Sequence, residues 1–219
     1  GAVISSALHI AYSLILQAGY ERAELGVVYP IARGSGPVLT ILFATLLMGE
    51  RISPGALLGA FIVIAGIFVV TGNPFRSGSR PLQGMLWGAA TGTAIAGYTL
   101  WDGYSVISLH LDPVRYYAST LLLQSLILTP GAMRRRNRIP TAVRVDIIPI
   151  LIIAVCSPLA YILVLTAMQS MPLALVAPLR ETSIIVGSLL SYWLFRENHL
   201  ARRIAGAVVV LTGIAIISL

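Results

Sequence analysis

The sequence predicts an all-α polytopic membrane protein, with eight transmembrane helices present out of ten and inverted five-helix repeats. Three observations carry this expectation. Of the 219 residues, 57% are hydrophobic and 11% charged, against roughly 25% charged in an ordinary soluble domain. The apolar residues gather into runs close to the roughly 20 residues that cross a bilayer. The chain also repeats itself: at an offset of 147, positions 33–72 meet positions 180–219 with 9 identities in 40, among them Arg33, Glu50, Gly59 and Gly66. An odd number of spans per copy inverts the second copy relative to the first, which predicts five-span halves and two further helices ahead of Gly1.

Taken in order, Gly1–Tyr20 is uncharged and long enough to span. It lacks the basic segment and cleavage site of a signal peptide. His9, Tyr12, Ser13 and Gln17 recur along it at helical spacing, a polar stripe suited to face other helices. Glu21–Glu24 turns the chain, Glu24–Met48 spans next, and Gly49–Pro54 turns it back. Gly55–Gly72 follows, with Gly59 and Gly66 spaced for close helix contact. Residues 73–81, NPFRSGSRP, have linker chemistry. They separate residues 1–72, the last three helices of the first repeat, from residues 82–219, the five helices of the second.

Leu82–Leu109 carries Asp102 near its end, with Tyr98 one turn before it on the same face. A helix-end carboxylate at the membrane interface is the plainer reading of Asp102. Asp112–Met133 spans with Arg115 at its mouth, and Arg134–Arg144 holds five arginines in eleven residues, a solvated loop beside phospholipid head groups. Asp146–Ser170 contains Pro149 and Pro158, which predicts a kink near Ser157 and Tyr161. Met171–Glu197 then places Arg180 and Glu181 side by side in an otherwise apolar stretch, and a turn at Arg196–Arg203 leads to a final span ending at Leu219.

Fifteen arginines and no lysine produce the net charge of +7. They sit mainly between apolar runs and report topology and lipid head groups, not nucleic acid. Assigning the loops to alternate sides puts most arginines, those of 134–144 included, on one side, which predicts that side to be cytoplasmic. Cys156 is the only cysteine, so it forms no internal disulfide and no metal cluster. There is no H-E-x-x-H and no P-loop, and the R-G-S-G run at Arg33–Gly36 lacks the flanks of a G-x-S-x-G nucleophile turn. No enzyme activity and no cofactor are expected.

Several motifs carry a resemblance: P-x-A-R-G-x-G-P at Pro30–Pro37, A-P-L-R-E-T-S at Ala177–Ser183, and E-x8-G-x6-G repeated from Glu50 and Glu197. With these the chain resembles an EamA-type transporter of the drug/metabolite transporter superfamily, and the likeness runs over all 219 residues. The resemblance implies a secondary transporter of small metabolites, with two inverted halves enclosing a cavity that opens alternately to each side. It also implies that both chain ends lie in the cytoplasm of a bacterial inner (plasma) membrane protein, the opposite of the arginine count. A flippase of lipid-linked sugars or lipids on the same scaffold is the alternative.

A charge deep in a spanning helix costs on the order of 3 kcal/mol, so it faces a cavity, a partner or a pathway. Arg33 and Arg180 each lie some ten residues into a span, and a guanidinium fork suits a carboxylate or phosphate-like oxyanion. The expected substrate is therefore anionic or zwitterionic, such as an amino acid or an organic or phosphonate anion, bound by Arg33 and Arg180 with Tyr29, Tyr98 and Tyr161. A structural ion pair with Glu181 or Asp102 is the competing role for the arginines. Glu181, Asp102 and His9 are the groups available for proton coupling or ion pairing. The expected partners are the lipid bilayer, the small-molecule substrate and a coupling proton, with a homodimer compatible with the scaffold.

Overall fold

The computed structural model describes residues 1–23, 25–49, 52–71, 81–134, 139–180, 183 and 200–217. Among them are eight helices: α1 Ala2–Arg22, α2 Leu25–Met48, α3 Pro54–Thr71, α4 Pro81–Ile107, α5 Pro113–Arg134, α6 Ile139–Met168, α7 Leu173–Arg180 and α8 Leu200–Ile217. Helices α3, α4 and α5 each start on a proline, whose missing N–H is no loss at a first helical position and whose φ is already helical. Ser53 and Asp112 cap two of these starts. The Ala56 N–H donates to Ser53 Oγ at 3.1 Å and the Arg115 N–H to Asp112 Oδ1 at 2.9 Å, which satisfies amide donors that a helix end leaves open. Gly49 ends α2 with a φ of +68°, the left-handed conformation that glycine adopts without strain.

Hydroxyl groups in these apolar helices bond to their own backbone. Ser6, Ser35, Thr40, Thr91, Thr120 and Thr166 each donate to the carbonyl four residues earlier, at 2.7–3.0 Å. Within hydrocarbon no water offers an alternative partner, and this local bond is the one always in reach.

Helix α6 departs from expectation in two ways. It starts at Ile139, so Arg144 is helical and the arginine-rich segment is not all loop; residues 135–138 lie outside the described residues. The non-helical residue is Asp146, at φ −114° and ψ 26°, well ahead of the kink expected near Ser157 and Tyr161. Asp146 stands three residues before Pro149, whose ring excludes the carbonyl four residues back and removes its hydrogen bond. Helix α8 likewise begins at Leu200, inside the stretch expected to turn; its Arg202 and Arg203 are good helix formers. The remainder of the expected span Met171–Glu197, apart from residues 171–180 and 183, lies outside the described residues.

The chain forms two compact units, and it passes from one to the other within α1, within α4 and again between Ser170 and Met171. The first comprises residues 1–10 and 101–170, the second residues 11–100 and 171–219. In the first unit the Ser6 hydroxyl shares its one hydrogen between the Ala2 carbonyl and the Thr120 carbonyl, 3.0 Å away, and ties α1 to α5. Gln169 Nε2 donates to the carbonyls of Val106 and Leu111 at 3.4 and 3.5 Å. Its core is small: Tyr116, Tyr117, Thr120, Leu165 and Met168 are buried, while residues 143–157 of α6 are exposed throughout. Those exposed residues are almost all apolar, and Val143–Met168 and Ala2–Arg22 are long and apolar enough to cross a membrane. In a bilayer that surface meets lipid tails, which are as apolar as leucine.

The second unit is held by glycines. A methyl group built on Gly92 of α4 would collide with the Ser35 hydroxyl and lie 3.1 Å from the Gly36 amide; one on Gly88 would lie 2.6 Å from Ile31 Cβ. The R-G-S-G run is thus the place where α2 and α4 approach to backbone distance. Helices α3 and α8 do the same. A methyl on Gly213 would lie 2.7 Å from the Gly59 carbonyl, and one on Gly66 would lie 3.1 Å from the Gly206 carbonyl. Numbers rise along α3 as they fall along α8, so the two helices are antiparallel. Small residues at such contacts let backbones approach and gain dispersion where lipid supplies no hydrophobic drive.

Candidate functional site

Two constellations of polar side chains stand out, one in each unit. The first is centred on Asp102 of α4. The tyrosine hydroxyls of α5 and α6 converge on its carboxylate: Tyr116 donates to Oδ1 at 2.7 Å and Tyr161 to Oδ2 at 2.6 Å. These are the lengths of hydroxyl-to-carboxylate bonds. His9 of α1 completes the group, with Nε2 3.8 Å from Oδ2; the His9 side chain is 12% exposed and Asp102 0%. The other ring nitrogen, Nδ1, lies 3.0 Å from the Ser5 carbonyl. A carbonyl only accepts, so Nδ1 carries a hydrogen and the orientation of the ring is set.

Aromatic rings enclose this cluster. Tyr161 stands edge-on to His9 at 5.4 Å between centroids and 4.7 Å from Tyr117, which is 6.2 Å from His9. Four helices thus place one carboxylate, one imidazole and three phenols in a buried volume. Asp102 is therefore not the interfacial helix-end carboxylate that its position near the end of α4 suggests. It is sealed because α5 and α6 turn tyrosines onto it from residues 14 and 59 positions away in sequence.

The second constellation pairs each deep arginine with a tyrosine. The Arg33 guanidinium carbon lies 5.5 Å from the centre of the Tyr29 ring, one turn earlier on α2. That of Arg180, the last residue of α7, lies 5.9 Å from the Tyr98 ring of α4. Tyr98 is buried and meets Tyr12 edge-on at 5.4 Å. Both arginines are half-buried. The faces of the rings offset part of the cost of holding a cation away from water.

The expected residues therefore separate into two groups. Asp102, His9 and Tyr161 come together, Arg33 lies with Tyr29, and Arg180 lies with Tyr98; Glu181, Glu50 and Glu197 lie outside the described residues. Of the polar stripe on α1, His9 and Tyr12 are partly buried against aromatic rings, whereas Ser13 and Gln17 are exposed. Tyr116 and Tyr117 escape the sequence reading altogether. Nothing in V-R-Y-Y-A signals that one phenol meets a carboxylate, apart from the rarity of polar groups in a membrane span. Among the described residues no group of three histidine, cysteine, aspartate or glutamate side chains is placed to hold a metal ion.

Residues 82–219 match the family described as EamA-like transporters. Over 61 residues, 28% of this chain, the sequence is 48% identical to multidrug transporter PA4990 of Pseudomonas aeruginosa, and the match spans 54% of that protein's length. A protein of known crystal structure superposes with a TM-score of 0.71 at 17% identity, over 95% of this chain and 73% of that one. At that identity the likeness concerns the fold alone.

Proposed function

The chain belongs to the EamA-like transporter family, and on that premise we propose that it is a membrane transporter that moves small anionic or zwitterionic metabolites by alternating access. The observation that carries the substrate class is the pair of arginines inside apolar helices, each stacked on a tyrosine. In this reading Arg33 and Arg180 receive a carboxylate or phosphonate, and Tyr29 and Tyr98 shield the arginines and contact the substrate. The antiparallel contact of α3 with α8 supports the inverted-repeat part of the reading. Adding 147 to Gly59 and Gly66 yields Gly206 and Gly213, so the contact Gly59·Gly213 maps onto Gly206·Gly66 and the interface maps onto itself, as a two-fold axis in the membrane plane requires. The bacterial inner membrane is the proposed location.

The test is counterflow in proteoliposomes with radiolabelled glutamate, phenylalanine and a phosphonate, beside the cationic dye ethidium. Uptake of an anion or zwitterion that Arg180→Lys weakens supports the reading; uptake of ethidium alone would replace it with cation transport. A second reading, lipid flipping, draws on an apolar groove of about 290 Å³ lined by Val38, Ile41, Leu42, Leu57 and Phe61 between α2 and α3. Scrambling of a fluorescent phospholipid without solute uptake would favour it.

A further inference from the structure

The Asp102 cluster has a property that holding helices together does not require. A carboxylate satisfied by two tyrosine hydroxyls and fully buried is already a complete structural unit. A third group faces it, and that group is titratable. Since Nδ1 of His9 carries its hydrogen towards the Ser5 carbonyl, the nitrogen turned to Asp102 is the one that gains and loses a proton. With Nε2 bare, its lone pair faces a carboxylate oxygen 3.8 Å away. With Nε2 protonated, an imidazolium faces a carboxylate.

We propose that His9 and Asp102 form a proton-binding site, one exchangeable proton being lodged on His9 Nε2 opposite a carboxylate that Tyr116 and Tyr161 hold in place. The titratable groups facing the pair, among the described residues, are Tyr116 and Tyr117 from α5 and Tyr161 from α6; α1 adds the neutral Ser5. The proton comes from water and returns to water, and no other bond is made or broken. Its use in coupling solute movement to a proton gradient rests on the transporter reading above, while the site itself is testable with no solute present.

The experiment is nuclear magnetic resonance of 13C-histidine-labelled protein in detergent micelles, titrated between about pH 5 and 8, where histidine changes charge. The His9 signal is identified by its loss in His9→Gln. In the unaltered protein His9 is expected to pass from imidazolium to a neutral ring with its hydrogen on Nδ1. In Asp102→Asn it is expected to stay neutral throughout. Should Asp102→Asn give no folded protein, Tyr161→Phe keeps both charges and removes one donor from the carboxylate, which strengthens its hold on the imidazolium; the expected change in the proton affinity of His9 is about fivefold. A His9 whose charge stays constant across the range in the unaltered protein overturns the proposal, as does one that titrates identically in the variant that decides the question. Failure of solute uptake in the same preparation would bear on the transport reading alone.

Discussion

Arg180 separates a substrate role from a structural one at the scale of a single side chain. Lysine keeps the charge but not the planar fork, so Arg180→Lys is expected to weaken apparent affinity about tenfold, or about 1.4 kcal/mol, while folded yield is retained. Counterflow and detergent-solubilised yield measure the two separately. If Arg180→Ala instead loses folded protein, by the roughly 3–5 kcal/mol that stranding a buried partner costs, the arginine is a structural pin. The tyrosines on Asp102 give the opposite pattern. Tyr116→Phe and Tyr161→Phe each remove one donor from a buried carboxylate and should each lower unfolding stability by about 1.5–3 kcal/mol, the range for hydrogen bonds to charged groups. Thermal denaturation in detergent reads this, and a change below about 0.5 kcal/mol in both would mean that the carboxylate finds other donors.

Helices in this protein meet through what their side chains lack. Gly92 faces Ser35 and the Gly36 amide so closely that Gly92→Val should cost about 1–3 kcal/mol through overpacking. Gly97, one and a half turns further along α4, has nothing within 4 Å of a built methyl group. Gly97→Ala should therefore be neutral or stabilising by up to about 1 kcal/mol through helix propensity. Unfolding titrations of the two variants, run side by side, test whether contact or flexibility governs these glycines; equal effects would sink the packing account. The bend at Asp146 belongs to the same scale. It follows Pro149, and Pro149→Ala should restore the helical hydrogen bond to the carbonyl of Val145, read as amide-exchange protection across residues 145–149.

For the molecule as a whole, the repeat and its hand are the quantities at stake. Inverted copies place equivalent turns on opposite sides of the membrane, so Arg51→Cys and Asn198→Cys, in a background with Cys156 replaced by serine, should react with an impermeant maleimide from opposite sides. Labelling from one side would end the inverted-repeat reading. The arginine count further predicts that a reporter inserted within residues 134–144 is cytoplasmic. Periplasmic activity at that position would support the arrangement implied by the family resemblance.

Apolar composition and run length were enough to read a helical membrane chain from the sequence, because hydrocarbon admits only helices or closed barrels and each run must satisfy its own backbone. The starts of α3, α4 and α5 fall within one residue of the spans expected from Gly55, Leu82 and Asp112, because caps and prolines act on their own turn. The glycine frame Gly59, Gly66, Gly206 and Gly213 announced close contacts, though only the fold decided that they meet crosswise. What joins Asp102 to Tyr116, Tyr161 and His9 was decided by tertiary structure alone. A hydrogen bond between residues 59 positions apart depends on how α4, α5 and α6 are rotated about their axes. Sequence periodicity marks the polar face of a helix, but the partner of that face is set by packing around the whole unit.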